Sequence, residues 1–256
     1  MATRHDALRA TFERMFREGD LHHAYLFFGD AHIGKAYFAK RLARFIEQGS
    51  DAQEERPLGD TILVTPSEKG SIGIDEMREV KSFLWQTPLI SKKRIAIIDN
   101  AEALTKEAQG ALLKIVEEPP SHALIIFIAV DPQMISAPLA SRVNKIYFPR
   151  LSREELVETL VASERISTSR AQEIAQRALG SIGRARRTLA PRTEGAPTLQ
   201  EDIESRIMAL YEKGVVRNSA LISELLRREV LCAQYNVNAT VQKKAVEYIT
   251  SRSYNK

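Results

Sequence analysis

The chain has 256 residues, of which 44% are hydrophobic and 27% charged, and its formal net charge is +4. This composition supports a substantial core, excludes wholesale disorder, and permits nucleic-acid binding without requiring it. A single cysteine excludes both an intramolecular disulfide and a multi-cysteine metal site, so we expect no bound metal. The first residues lack a secretory pattern and no apolar run reaches membrane-spanning length, so we expect a cytoplasmic protein without membrane contact.

Short apolar runs alternate with amphipathic segments over the first 150 residues. The runs that we interpret as strands cover 24–28, 61–64, 94–99, 124–130 and 145–148, and the helical segments cover 33–48, 74–86, 105–116 and 133–143. Such short, β-branched runs are typical of strands that are covered on both faces of a parallel sheet. The alternation predicts an α/β, doubly wound domain with a five-stranded parallel sheet.

Strand-like runs end near Pro149. Ser152 and Glu155 then form a capping-box pattern, which predicts a helical unit that continues to about residue 189. The stretch 190–197 contains proline and glycine and is typical of a linker. The predicted domains are 1–150, a helical lid at 151–190, and a short C-terminal helical collar at 198–256.

A phosphate-loop pattern follows the first predicted strand. Residues 29–36 read GDAHIGKA and match G-x-x-x-x-G-K-[ST] at every fixed position except the last. Gly29 and Gly34 would let backbone N–H groups face an anion, and Lys35 would reach the β- and γ-phosphates. Ala36 lacks the hydroxyl that normally holds Mg²⁺. We therefore predict a degenerate nucleotide site that requires no cofactor, although ATP or ADP could still bind weakly or as a structural ligand.

Two further positions favour a silent site. Asp99 ends the third strand where a Walker-B aspartate would sit, but the next residue is Asn100, and asparagine cannot accept a proton at neutral pH. Glu102 is interpreted as an acid in the first turn of a helix and not as a replacement base. The end of the fourth strand carries Ala129 and Val130 where a polar sensor of the γ-phosphate is expected.

Several motifs resemble the clamp-loader branch of the AAA+ family. They are His23-Ala24-Tyr25-Leu26-Phe27 before the phosphate loop, the run 111–120 (ALLKIVEEPP), Ser141-Arg142-Val143, and the run 180–185 (GSIGRA). The run EEPP is the most specific of them, and the run GSIGRA is similar to the lid motif of delta-prime subunits of bacterial DNA polymerase III. The resemblance covers roughly residues 20–190.

This resemblance implies a fold, partners and site residues. It implies an AAA+ domain, a lid and a collar in a non-hydrolysing stator of the clamp loader, within the DNA polymerase III holoenzyme, a nucleotidyltransferase complex. The expected partners are the delta subunit and the gamma/tau ATPase subunits and, indirectly, the sliding clamp and primed DNA. The resemblance further assigns Arg142 to a neighbour's ATP site as an arginine finger, and Arg184 to the chain's own degenerate site. The four-cysteine zinc module of many delta-prime proteins is absent from the segment 48–60.

Two other functions stay open. The chain could be an active ATPase, such as a motor subunit of the same ring or a helicase-loader-like protein, although Ala36 and Asn100 argue against it. It could also bind nucleic acid alone through the basic residues Arg184, Arg186, Arg187 and Arg192, but the aromatic residues expected for single-strand binding are missing there.

Overall fold

The structure is a computed structural model that describes residues 3–49, 57–189, 199–212, 214–234 and 239–251. Contacts divide the chain into two compact units, Met1–Ala190 and Pro191–Lys256. The predicted boundary at 150 stays a prediction, and those at 190 and 198, with the linker 190–197, lie outside the described residues.

Five strands of the described residues form one parallel sheet in the order β2-β3-β4-β1-β5. They are β1 (Ala24–Phe28), β2 (Thr61–Val64), β3 (Arg94–Ile98), β4 (Ala123–Ala129) and β5 (Asn144–Tyr147). The prediction of a five-stranded parallel sheet is confirmed, with strand ends within one residue of the expected positions. Because all strands run in one direction, the residues that follow them meet at the carboxyl edge of the sheet.

In the described part of the first unit, eight α-helices surround this sheet or follow it. They are α1 (Arg4–Glu18), α2 (Lys35–Gln48), α3 (Ile74–Trp85), α4 (Lys106–Glu117), α5 (Ala137–Ala140), α6 (Arg153–Glu164), α7 (Thr168–Ala178) and α8 (Ile182–Leu189). Helix α1 was not predicted, although its start carries a signal: the Thr3 side chain accepts the Asp6 N–H, and the Asp6 carboxylate accepts the Thr3 N–H. An aspartate at this position of a capping box performs the role usually taken by glutamate.

The single helix predicted at 133–143 is wrong. The chain instead forms a 3₁₀ turn, Pro132–Met134, and then the short helix α5. Ile135 between them is extended, with φ −91° and ψ 138°. Pro138 explains the break, because it has no N–H to donate to a preceding turn and tolerates only a position at the start of a helix.

Alternating residues of the central strands fill two apolar layers. On β4, Ile125 and Phe127 face the layer that contains α3 and α4, whereas Leu124 and Ile126 face the layer that contains α1 and α2. Every residue of β3 and β4 is buried. This burial on both faces explains why the two strands are continuous apolar runs in the sequence.

Helices α6, α7 and α8, which we call the helical lid, have an apolar cluster of their own that includes Leu156, Leu160 and Ile174. The Leu151 N–H donates to the Gly180 carbonyl at 3.1 Å and joins the entry of the lid to the start of α8. The described part of the second unit forms α9 (Leu199–Glu212), α10 (Val215–Gln234) and α11 (Ala239–Ser251), around residues such as Leu225.

Candidate functional site

The phosphate loop connects β1 to α2 at the carboxyl edge of the sheet. Gly29 and Gly34 have φ values of 136° and 102°, which residues with a side chain rarely adopt. The Gly29 N–H donates to the Val130 carbonyl at 3.2 Å, which ties the loop to the end of β4. The structure thus places both predicted glycines in a loop that their conformational freedom makes possible.

Lys35, the first residue of α2, points back into the loop. Its Nζ donates to the carbonyl oxygens of Gly29 and Asp30 at 2.6 Å each, and only 6% of the residue is exposed. Burial lowers the pKa of Lys35 to about 8, although the carboxylates of Glu102, Asp99 and Asp30 act in the opposite direction. The ammonium group therefore binds carbonyl groups of its own loop.

The next two site positions lack the groups that Mg²⁺–ATP chemistry uses. Ala36 packs its methyl group against the apolar layer of α1 and α2. Asn100 is exposed in a left-handed conformation, with φ 53°, and its N–H donates to the Asp99 Oδ1 at 3.0 Å. Asp99, directly after β3, is the one group of the standard Mg²⁺–ATP set that is present among these three positions.

Glu102 lies closer to the candidate site than its interpretation as a first-turn acid indicates. It does lie in the first turn of a 3₁₀ helix, Ala101–Ala103, but its carboxylate interacts electrostatically with both Lys35 and Asp99. Burial raises the pKa of Glu102, and this outweighs hydrogen bonds from backbone N–H groups, including that of Val130, and the charge of Lys35. Its Oε2 is buried without a hydrogen-bond partner among the described residues. The spacing D-x-x-E could have indicated this, because one tight turn returns the glutamate to the edge that holds Asp99.

Helix α8 begins directly against the phosphate loop. The His32 carbonyl accepts the Gly183 N–H at 2.8 Å and the Ser181 hydroxyl at 2.9 Å. A Cβ on Gly183 would lie 2.8 Å from the Cβ and the O of His32, so a larger residue requires the backbone to shift. A Cβ on Gly34 would likewise meet the Ile182 side chain at 3.2 Å. The lid is therefore fastened to the phosphate loop by groups of the chain itself.

The basic residues of α8 have different surroundings. Arg184, predicted for the nucleotide site, is half-buried in the first half of the helix. The Arg186 Nε pairs with Glu164 at 2.7 Å, and its guanidinium lies 4.7 Å from the ring centroid of Tyr37. Arg192 lies outside the described residues. Arg186 thus connects two lid helices to α2.

Arg142 lies on the surface, just after α5. Its Nη1 donates to the Pro138 carbonyl at 2.8 Å and to the Ser141 hydroxyl at 3.3 Å. Its Nη2 pairs with the Glu117 Oε1, at the end of α4, at 2.8 Å, and 41% of the Arg142 side chain remains exposed. The guanidinium is therefore accessible to another molecule and is held by groups of two helices.

In the part of the chain that the structure describes, no cluster of histidine, cysteine, aspartate or glutamate has the arrangement of a metal site. None of the described helices is long and apolar enough to cross a membrane.

Comparisons with known proteins agree with this architecture. The family described as DNA polymerase III, delta subunit, matches residues 4–152. The gamma/tau subunit of DNA polymerase III from Mycobacterium tuberculosis strain H37Rv is 33% identical over 157 residues, which cover 56% of this chain and 27% of that protein. The gamma subunit from Buchnera aphidicola is 28% identical over 181 residues, or 64% of this chain and 50% of that protein. The chain thus spans between about a quarter and a half of the length of these relatives.

Two solved structures from Thermotoga maritima share the fold. A protein related to the DNA polymerase III gamma subunit has 19% identity and a TM-score of 0.51, with 95% of this chain and 90% of that chain covered. The RuvB Holliday junction branch migration motor has 16% identity and a TM-score of 0.50, with 87% and 67% covered. At these identities the likeness concerns the α/β fold of P-loop AAA+ proteins alone. Because the family match spans more than half of the chain, the protein belongs to the DNA polymerase III delta-subunit family of clamp-loader proteins.

Proposed function

We propose that this chain is a delta-prime-like clamp-loader subunit of DNA replication that does not hydrolyse ATP and that supplies Arg142 to the ATP site of a neighbouring ATPase subunit. One contrast carries this proposal. The Arg142 side chain is 41% exposed, whereas Lys35 is buried and donates to carbonyl groups of the chain's own phosphate loop. This geometry favours a subunit that contributes a residue to a neighbour's ATP site over one that hydrolyses ATP at its own site.

The residues at the chain's own site do not fit a Mg²⁺–nucleotide. The methyl group of Ala36 cannot ligate a metal, and the Asn100 amide cannot take a proton from water. The backbone of Val130 is used by Gly29 and Glu102, and its apolar side chain offers no hydrogen bond to a phosphate. We assign no catalytic step to this site.

Arg142 has the chemistry for a role in a second subunit. A guanidinium is charged at all physiological pH values and presents five N–H donors in a planar fork that matches phosphate oxygens. Arginine fingers supplied in trans accelerate phosphoryl transfer by about 10³–10⁵-fold. The expected partners are ATPase subunits of the gamma/tau kind and a delta subunit, which together act on the sliding clamp at primed DNA in the cytoplasm.

Measurements of ATP turnover test both parts of this proposal: that the chain does not hydrolyse ATP, and that Arg142 serves a neighbour's site. The isolated chain should show no ATP hydrolysis above background. In a complex reconstituted with the clamp-loader subunits of the same organism, Arg142→Ala should lower turnover at the adjoining site by at least about 10³-fold while the complex still assembles. Arg153→Ala, at an exposed arginine at the start of α6, is the matched control and should leave turnover unchanged. Unchanged turnover with Arg142→Ala would show that Arg142 does not act as an arginine finger.

An active ATPase is the second candidate, and Glu102 is the observation that favours it. Its pKa is raised, and its carboxylate lies near Lys35 and Asp99, so it could act as a base in place of Asn100. A cleft of about 1090 Å³ borders Gly34 and Ile182, but Lys35, Asp99 and Glu102 do not line it. If this candidate holds, the isolated chain hydrolyses ATP, and both Lys35→Ala and Glu102→Gln abolish the activity.

Independent nucleic-acid binding is a weaker third candidate, since Arg186 is already engaged with Glu164 and Tyr37. Salt-dependent DNA binding by the isolated chain would support it. Co-purification with ATPase and delta subunits would instead support assembly into a loader.

A further inference from the structure

We infer that Glu117 is a positioning residue for Arg142, which fixes the guanidinium at the surface before the chain meets its neighbour. This inference rests on the proposed function of Arg142. Glu117 lies at the end of α4, outside the phosphate loop. Its carboxylate acts through Arg142, to which it is joined by an ion pair of 2.8 Å.

Helix α4 is built to hold this carboxylate in place. Glu117 is its last residue, and Pro119 and Pro120 prevent the helix from continuing. Ala108, Leu112 and Ile115 anchor the opposite face of α4 in the core, with none of their surface exposed or nearly none. Glu117 therefore projects from a rigid element, which gives its carboxylate a defined position.

Helix α4 also holds the other end of the segment that carries Arg142. The Gln109 Oε1 accepts the Ser136 N–H, directly before α5, at 2.8 Å. Glu117 pairs with Arg142 directly after α5. One helix thus fixes α5 at both ends, and the four-residue helix does not have to hold its own orientation.

The guanidinium contacts leave Arg142 able to bind a phosphate. Nη1 is directed by the Pro138 carbonyl and the Ser141 hydroxyl, and Nη2 by Glu117. These three acceptors do not use all five donors of a guanidinium. A free arginine loses rotamer entropy when it inserts into a site. A guanidinium that is already held loses less, so the rate of the neighbour's reaction rises without a new contact to the phosphate.

The inference predicts a graded effect on the neighbour's turnover. Glu117→Gln keeps the size of the side chain but removes its charge, so kcat at the adjoining ATP site should fall by roughly two- to fivefold, in keeping with a half-exposed ion pair. KM for ATP should change little, because the nucleotide is bound by the neighbour. Glu118→Gln is the matched control: this exposed neighbouring glutamate has no ion pair with Arg142, so kcat should stay the same.

A double-mutant cycle in the reconstituted complex tests the inference, with the adjoining ATPase as its only hydrolysing subunit. Glu117→Gln should have no further effect when Arg142 is already alanine, because a positioning residue has nothing left to position. Glu117→Gln that matches Glu118→Gln, or that lowers kcat equally in both backgrounds, would overturn the inference. Arg142→Ala without effect would instead overturn the proposed function itself, so the two failures are distinguishable.

Discussion

The Gly183 N–H and the His32 carbonyl are 2.8 Å apart, and this contact joins the lid to the phosphate loop. The two residues come from different parts of the chain and meet because glycine allows α8 to approach the loop backbone. Here the connection is made by peptide groups and by the Ser181 hydroxyl.

Gly183→Ala should destabilise the first unit. Alanine favours a helix more than glycine does, but its Cβ would lie 2.8 Å from the carbonyl oxygen and the Cβ of His32, so α8 or the loop must shift. We expect the free energy of unfolding, measured by urea titration, to fall by about 1–3 kcal/mol.

Gly110→Ala is the matched control for this substitution. Gly110 lies inside α4, and a Cβ there would meet no atom within 4 Å. Helix propensity alone then acts, and the free energy of unfolding should rise by about 0.5–1 kcal/mol. If both substitutions raised the free energy of unfolding, the contact between Gly183 and His32 would not exclude a side chain, contrary to the prediction.

The strands could be predicted because each is a local pattern. A run such as 124–130 is apolar at every position, and so short and continuous a run is typical of a strand that is covered on both faces. The single helix predicted at 133–143 is wrong for a local reason too, since Pro138 fits only the start of a helix and breaks the segment before it.

The contacts of the candidate site could not be predicted in the same way. His32 meets Gly183, and Glu117 meets Arg142, only after the sheet has brought distant segments together. No periodicity in the sequence reports such a pair. The missing hydroxyl at Ala36 was visible because a motif fixes which residue is expected at that position.

Lys35 should make stability depend on pH in the alkaline range. The pKa of Lys35 is about 8 in the folded chain, against an ordinary 10.5. Between these values the unfolded chain binds a proton that the folded chain has released, so the free energy of unfolding should rise with pH. The difference between the two pKa values corresponds to about 3 kcal/mol. Below pH 8 the free energy of unfolding is lower by about this amount, because the folded chain holds a buried charge.

Lys35→Met should remove that rise. Urea titrations at pH 7 to about 10.5 should show the slope in the wild-type chain and its loss in the variant. Lys40→Met, at an exposed position of the same helix, should keep the slope. An unchanged slope in Lys35→Met would show that the ammonium group is not buried as the structure has it.

Asp60 and Arg94 form a buried ion pair that organises the loop before β3. The two side chains are 3.2 Å apart and almost fully buried. The Asp60 carboxylate also accepts the N–H groups of Leu89, Ile90 and Ser91 at 2.7 Å each. Burial alone would raise the pKa of Asp60, but these hydrogen bonds and Arg94 hold it below its ordinary value.

Asp60→Asn should therefore destabilise the chain in a pH-dependent way. Loss of one partner leaves Arg94 buried without its counter-ion, and the free energy of unfolding at pH 7 should fall by about 3–5 kcal/mol. Because the pKa is lower in the folded chain, the stabilisation by Asp60 is present above the ordinary aspartate pKa of about 4 and is lost as pH falls below it. The stabilities of wild type and variant should thus converge in acid.

Asp30→Asn is the control. It breaks the half-exposed pair with Arg150, whose atoms are 2.6 Å apart, and should lower the free energy of unfolding by at most about 1 kcal/mol. Equal losses in the two variants would mean that burial does not distinguish the pairs.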